Sequence, residues 1–490
     1  MEFDSQENKA EKFGIQNQSS NISSTQFLEG QNLRRSITDL PPPLISDILE
    51  FLEPKELGIV CCVSSLLNQL ASENRVWKEA YCERWISPNN ATNRSWKELF
   101  VEREFRSRTL LGRYNVETLR GHTEAVRTVF LLASAKLIFT SGYDSVVRMW
   151  NVESGCLIAS SPLLNCTIRA ISADPNLLIV GGTVGFIQGW KACDAPHLFD
   201  LAATEDDECG FKLWEHQGPI TSLAMDTSKI YSGSWDMTVR VWDRASLQSV
   251  EVLMHNDWVW SVVPYFSIVA TSSGPDVYIW NAASGTLLSV ISEAHAGNTY
   301  ALAGSRTGNF LFTGGEDGAI KMFEILQSRG TILCNKKASW TPHSGPVYSL
   351  AFEYPWLVSA SSDGKLSLTD TRNLLKEKEN GRVRMADPPQ RMLHGFGPNL
   401  FSVAVGDDRV ICGGEGGVVR IWDFSESLEV ERRALALRAI RLQGRLQRRK
   451  MQTEKRGKKN RPENCALAAK MSPERDVSQR KAEICAKLRA

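Results

Sequence analysis

The sequence predicts a mainly β chain of seven repeated segments, with a small all-α region ahead of them and a basic tail behind. Three observations predict it. Segments that open on histidine and resemble one another recur along the middle of the chain. An aromatic landmark returns about 25 to 30 residues after most of them. Apolar residues between positions 38 and 85 are spaced as on helices, whereas those of the repeats alternate as on short half-buried strands. With 490 residues, 42% hydrophobic and 23% charged, the chain can build more than one unit with its own core.

Composition narrows the function classes. The 11 cysteines are scattered, the adjacent pair being Cys61-Cys62, and no C-x-x-C occurs, so reduced thiols are expected rather than a zinc ribbon, a redox motif or a disulfide framework. The opening MEFDSQENKAEKFG is polar and acidic, unlike a signal peptide, and no apolar run approaches the roughly 18 residues of a membrane span. A soluble chain of the nucleus and/or cytoplasm, without membrane contact, is the expectation. Net charge is +1, but residues 431 to 490 hold 19 Lys+Arg against 6 Asp+Glu, which leaves the remainder acidic.

Residues 1 to 37 are rich in Gln, Asn, Ser and Glu and are expected to be disordered. Order begins at ITDLPPPLISDILEFLEPKELGIVCCVSSLLNQLASENRVWKEAYCERW. Leu44, Ile45, Ile48, Leu49 and Leu52 recur at helical spacing after the prolines, and Pro54 is expected to end that helix. A second run, Leu57, Val60, Cys61, Ser64 and Leu67, has the same period. The succession Leu40-Pro41, Leu44-Ile45, Ile48-Leu49, Leu52, Leu57, Val60-Cys61 and Trp77-Lys78 resembles the F-box, with Pro42 or Pro43 replacing the acidic residue usual after Leu-Pro. The resemblance covers residues 38–85. It implies a surface for a SKP-type adaptor, and through it a cullin, drawn from Leu40, Pro41, Leu44, Ile45, Ile48, Leu49, Leu52 and Leu57. The other reading is a helical cap that buries those residues against the repeats.

Residues 86–113 form a linker in which SWKELFVEREFRSRTLLGRY reads as a helix, capped by Ser95 with Glu98 three residues on and expected to act as a stiff spacer.

Repeats fill residues 114–424. Histidines at 122, 216, 255, 295, 343 and 394 open HTEAVRTV, HQGPITSL, HNDWVWSV, HAGNTYAL, HSGPVYSL and HGFGPNLFSV. The landmarks VVRMWN, VRVWD, VYIWN, IKMFE and VRIWD follow, and LSLTD has Thr369 in the tryptophan place. Between His122 and His216 a degenerate copy carries NCTIRAIS and FIQGW. These segments resemble the WD-repeat family, which implies a seven-bladed β-propeller of four-stranded blades. The resemblance further implies a hydrogen-bond relay of histidine, Ser/Thr, aspartate and tryptophan. His216, Ser232, Asp236 and Trp242 match it, as do His122, Thr140, Asp144 and Trp150. Gly274 and Gly416 depart in the aspartate column, Phe323 and Thr369 in the tryptophan column, so those blades are expected to depend more on apolar packing. Histidines repeated at one place of a ring read as structural, which leaves no nucleophile–base pair, metal site or cofactor site and points away from an enzyme. For closure, NVETL at 115–119 is implied as the outer strand of the last blade, with SLEV at 427–430 as the competitor.

Aligned on the residue that opens each inner strand, the next position reads Arg127, Arg169, Thr221, Trp260, Tyr300, Tyr348 and Phe401. In the family this column rings the mouth of the central channel, and Tyr143, Trp235 and Glu316, each just before a turn aspartate, fall near the same rim. Arginine and large aromatics are the residues of binding hot spots. A substrate site of Arg127, Tyr143, Arg169, Trp235, Trp258, Trp260, Tyr300 and Tyr348 is therefore expected, suited to an acidic or phosphorylated degron with an apolar flank. The alternative is that the aromatics plug the channel.

In the tail, residues 425–490, Leu435, Ala439, Leu442 and Leu446 share one helical stripe among arginines, so a basic segment that is helical or disordered is expected. Nuclear import through RRK and KRGKK, contact with nucleic acid, and a solvated helix without partner are its three readings. Taken together the resemblances imply a plant F-box/WD-repeat protein: a non-catalytic substrate-recognition subunit of an SKP–cullin–F-box ubiquitin ligase. A non-degradative propeller scaffold is the alternative.

Overall fold

The computed structural model describes residues 37–85, 94–193, 198–203, 207, 209–265, 267–328, 331–375, 387–394, 397, 399–406 and 408–459, apart from the side chains of Thr38, Ser328, Thr331, His394 and residues 454–459. The expectation for residues 1–37 lies outside these but for Ile37, which opens a 3-10 turn at Ile37–Asp39, and the tail beyond Lys459 also lies outside them. The chain divides into two compact units, residues 1–77 and 78–490.

Proline organises the first unit. Pro41 precedes α1 (Pro42–Leu49) and two prolines occupy its opening positions, where a missing N–H costs nothing. The helix stops at Leu49, ahead of Pro54, and Pro54 instead opens α2 (Pro54–Val60). A capping box fixes that start: Glu53 N–H donates to Glu56 Oε2 at 3.0 Å. The periodic run from Leu57 to Leu67 is likewise two helices, because Ser64 is extended and its hydroxyl accepts from Leu67 N–H at 3.2 Å, beginning α3 (Ser65–Leu70). Ile45, Leu49, Leu57, Leu67, Ala71 and Trp77 are buried, and the Trp77 indole N–H donates to the Ala71 carbonyl at 2.7 Å.

The later turns of α4 (Asn74–Arg84) belong to the second unit. Trp85 donates from its indole to the Tyr354 carbonyl at 2.9 Å, with Phe100 and Tyr354 edge-on to its ring. In α5 (Trp96–Thr109) the expected capping box forms, Glu98 N–H to Ser95 Oγ at 3.3 Å and Ser95 N–H to Glu98 Oε2 at 3.2 Å. It is not a free spacer. Arg103 pairs with Glu353, Trp356 donates to the Ser107 carbonyl, and Arg391 donates to the carbonyls of Leu110 and Gly112 at 2.8 and 2.7 Å. The helix is a buttress of the sixth blade.

Seven antiparallel four-stranded sheets make the propeller, six of them from consecutive strands. The last is closed by Asn115–Arg120, which pairs with Val418–Asp423 in register from Asn115 opposite Asp423 to Arg120 opposite Val418. Residues 427–430, the competing candidate, lie in a helix. After a short α6 (Arg372–Leu375), α7 (Ser425–Lys459) starts against the propeller through buried Leu428, Ser427 Oγ donating to the Arg113 carbonyl at 2.6 Å, and Arg432 on Glu102 at 2.8 Å. Further along, Leu435, Ala439, Leu442 and Leu446 are exposed.

Second strands such as Leu177–Gly182 and Trp356–Ser361 are buried at every position, so they read as continuous apolar or small runs rather than alternation. Their glycines allow blades to close on one another: a Cβ on Gly233 would meet Val259 Cγ1 at 2.8 Å, and one on Gly413 would meet Val126 Cγ1 at 2.7 Å. Serines near the start of inner strands staple neighbouring blades. Ser222, Ser261, Ser349 and Ser402 accept from the N–H of Val262, Leu302, Val403 and Val129 at 3.1 to 3.3 Å, which explains the serine recurring in TSL, WSV, YSL and FSV.

Candidate recognition sites

Every inner strand carries the same irregularity. Pairing with the second strand slips by one residue between Val126 and Thr128, Ile168 and Ala170, Ile220 and Ser222, Val259 and Ser261, Thr299 and Ala301, Val347 and Ser349, and Leu400 and Ser402. The residue skipped is Arg127, Arg169, Thr221, Trp260, Tyr300, Tyr348 or Phe401, so each bulge frees one side chain from the ladder and re-aims it. All seven line a central channel of about 380 Å³.

Around that channel the side chains touch in sequence. Arg169 lies over the Trp235 ring at 4.4 Å, Trp235 meets Trp260 edge-on at 5.7 Å, and Trp260 meets Tyr300 at 4.8 Å. Tyr300 approaches Tyr348 at 5.6 Å, Tyr348 approaches Phe401 at 5.8 Å, and Arg127 lies over Phe401 at 4.5 Å. Trp258, exposed at the rim, stacks on Trp235 at 4.8 Å. Tyr143 is also exposed there and lies near both arginines, while Glu316 accepts from Asn298 N–H at 3.0 Å. The aromatics thus line the wall and rim, and the channel keeps open volume.

Charge makes the place distinctive. Burial lowers the Arg127 pKa, opposed by neighbouring Tyr143, Tyr348 and Tyr300, and burial with the repulsion of Arg127 brings Arg169 down to about 10. Both remain cationic at neutral pH, and neither has a carboxylate partner among the described residues. The indole N–H groups of Trp235 and Trp260 are buried without an acceptor among the described residues. Arginine forks beside unpaired donors and aromatic faces fit an anionic group with an apolar neighbour.

The repeat histidines at 122, 216, 255, 295 and 343 are absorbed by the framework, while the side chain of His394 lies outside the described residues. Trp242 Nε1–H donates to Ser232 Oγ at 2.9 Å, the hydroxyl bonds His216 Nε2 at 2.7 Å, and His216 Nδ1 bonds Asp236 at 2.7 Å. Trp150, Thr140, His122 and Asp144 repeat this at 2.8, 2.8 and 2.7 Å. Gly274 was placed in the aspartate column, but that turn is one residue short: Thr271 to Trp280 is nine residues where the complete relays have ten. His255 Nδ1–H donates to the Leu253 carbonyl at 3.1 Å instead, with Tyr278 and Trp280 edge-on to its ring. In the degenerate second blade Trp190 donates to the Ala203 carbonyl at 3.2 Å.

On the first unit the expected adaptor residues separate by burial. Leu40, Pro41, Leu44 and Ile48 are exposed and Leu52 is half-buried, whereas Ile45, Leu49 and Leu57 are core and cannot touch a partner directly. The reason is the helical period, which turns adjacent apolar residues about 100° apart, so one of each pair meets the core and the other does not. Phe51, 91% exposed, continues the outer stripe from Leu44 and Ile48, and Ile59 and Val63 are exposed as well. Phe51 was legible as the next residue at that spacing.

Comparison with known proteins follows the two units. The F-box-like family model matches residues 37–83, and the WD domain, G-beta repeat model matches 113–151, 207–243, 285–324 and 334–370. An F-box/WD-40 repeat-containing protein of Arabidopsis thaliana is 56% identical over 464 residues, covering 92% of this chain and 86% of that protein. Protein DOA1 of Saccharomyces cerevisiae is 31% identical over 147 residues, 29% of this chain and 19% of its own length. In fold alone, the crystal structure of the WD40 β-propeller domain of Doa1 is similar with a TM-score of 0.52 at 21% identity, covering 64% of this chain and 98% of that chain.

Proposed function

Because this chain belongs to the F-box/WD-40 repeat-containing proteins, we propose that it is the non-catalytic substrate receptor of an SKP–cullin–F-box ubiquitin ligase. The first unit docks a SKP-type adaptor and the propeller holds the protein to be modified. One observation carries the reading: Leu44 and Ile48 on α1, with Leu40 just before the helix and Phe51 just after it, form an exposed apolar stripe, while Ile45 and Leu49 of the same helix already supply the core. Such a stripe on a small unit is a surface made to be covered. Its occupant is taken as the adaptor because the F-box-like match spans this stripe.

At the propeller, Arg127 and Arg169 take the anionic part of a degron, and Trp235, Trp258, Trp260, Tyr300, Tyr348 and Tyr143 its apolar flank. The receptor works in the nucleus, the cytoplasm or both. A non-degradative scaffold is the second reading, favoured by the exposed basic length of α7, and it needs no adaptor.

The test compares the intact chain with Leu44→Asp/Phe51→Asp, both outward-facing, in cells whose proteasome is blocked. The variant should lose the SKP-type adaptor, retain the captured target proteins, and leave them unmodified by ubiquitin. Retention of the adaptor by the variant would refute the docking surface. Targets ubiquitinated equally with both would favour the scaffold.

A further inference from the structure

One side chain of the third blade is at odds with its backbone. Met237 has φ 64°, in the left-handed region that L-residues enter at a cost. It follows the turn aspartate Asp236, and the equivalent place holds Gly185, Gly318, Gly364 and Gly417 in four other blades, all with positive φ, and Ser145 in the first. Glycine would relieve the strain, yet a long apolar side chain stands there, 42% exposed.

Thr238 pairs with Met254 across the sheet and the Met237 carbonyl accepts from His255 N–H at 2.9 Å, so Met254, 66% exposed, ends the outer strand next to the turn that holds Met237. Two residues before Met237, Trp235 stacks on Trp258, itself 45% exposed. From Thr221 at the channel wall outward, this end of the blade therefore presents Trp235, Met237 and Met254. The line begins where Arg169 covers Trp235. At the same end of the fifth to seventh blades no large apolar side chain is exposed among the described residues, and Glu316, Ser362 and Glu415 stand in the place of Trp235.

We propose that the end of the third blade is a track for an extended peptide, with an anionic side chain at Arg127 and Arg169 and a bulky apolar side chain resting on Met237, Met254 and Trp258. The proposal rests on the receptor reading above and adds the substrate's pattern. The occupant follows from charge complementarity, since the two cations at the head of the track have no carboxylate partner among the described residues. Strands about 4.8 Å apart put the outer edge about 14 Å from the channel wall, or about four residues of extended chain at about 3.3 Å each. Methionine suits such a seat, because its flexible, polarizable side chain adapts to apolar partners of different shape.

The experiment uses the full chain and labelled peptides of about ten residues, read by fluorescence anisotropy. Each carries one glutamate or one phosphoserine and one leucine or phenylalanine, about two, four or six positions away in either direction, with serine and glycine elsewhere. The spacing of four should bind at least about tenfold tighter than the others and than the peptide without an apolar residue, in one direction only. The glutamate and phosphoserine arms show which anion is read. Met237→Gly should keep or raise the melting temperature while abolishing the spacing preference, Met254→Ser should abolish it too, and Arg127→Glu/Arg169→Glu should remove binding of every peptide. Binding that needs the arginines but ignores the apolar residue overturns the track and leaves the receptor reading intact. Preference that survives Met237→Gly, or no peptide binding at all, overturns the track as well, whereas the receptor reading is judged separately by adaptor capture and ubiquitination.

Discussion

A single hydroxyl in each complete relay holds two rings, accepting from tryptophan and bonding histidine, and the cost of losing it can be stated. Ser232→Ala leaves the Trp242 N–H and one His216 nitrogen buried and unpaired, so a loss of about 1–3 kcal/mol is expected, read as a lower unfolding midpoint in urea. The sixth blade predicts the opposite sign. Thr369 stands where tryptophan would, and its hydroxyl is buried without a partner, so the isosteric Thr369→Val should stabilise by about 1 kcal/mol. His255 adds a pH dependence: burial brings its pKa from 6.5 down to about 4, against the Leu253 carbonyl bond that raises it. The unfolded chain then binds a proton that the folded chain refuses, so stability is full above pH 6.5 and falls as pH drops toward 4. At about 1.4 kcal/mol per pH unit the loss is at most about 3.5 kcal/mol. Melting temperatures across that range should flatten in His255→Gln. Asp144, buried yet held at about 2 by His122 and Arg148, loses its contribution only at lower pH, as it protonates. The relay residues were legible because each recurs at a fixed offset. The shortened turn at Gly274 was not, since counting from Trp280 hides a deletion that only the Thr271 contact exposes.

At the level of elements, the strand that closes the ring decides most. Leu119 is buried on that strand among Val126, Ile138 and Trp150, whereas Val116 on the same strand is exposed. Leu119→Asp should cost at least about 3 kcal/mol and open the seam between the last and first blades, while Val116→Asp should stay within about 0.5 kcal/mol, both measured by denaturant unfolding. That strand was readable because NVETL had no blade of its own. The helix boundaries of the first unit were harder. Apolar period continues across Ser64, and only the cap geometry shows that the chain turns there; Pro54, which reads equally as a stop or a start, is settled by the Glu53–Glu56 box. The linker helix misled for another reason: its contacts with the sixth blade, Arg103 to Glu353 and Ser107 to Trp356, join residues about 250 positions apart, which no local pattern records.

Over the whole molecule, charge is divided between a propeller whose recognition end gathers two arginines without a carboxylate partner among the described residues and residues 431–490 with 19 Lys+Arg against 6 Asp+Glu. Deleting residues 448–461 from a fluorescent fusion should lower its nuclear signal if the tail is an import signal; an unchanged signal assigns the basic helix another role. The sequence by itself determined the seven-fold repeat, the recurring histidine and aromatic landmarks and the column of Arg127, Arg169 and the aromatics. All of these are periodic, and periodicity is what a linear chain records; the four-stranded blade, the relay and the closing strand came with the family resemblance that the repeats carry. Tertiary structure alone decided that each column residue sits on a bulge and that Ile45, Leu49 and Leu57 are core while Phe51 is surface. It also decided that α5 leans on the sixth blade and that Met237 holds a strained place in the turn next to the strand that Met254 ends. Those outcomes depend on which faces meet across sheets and helices far apart in sequence, and burial is a property of the meeting, not of the residue.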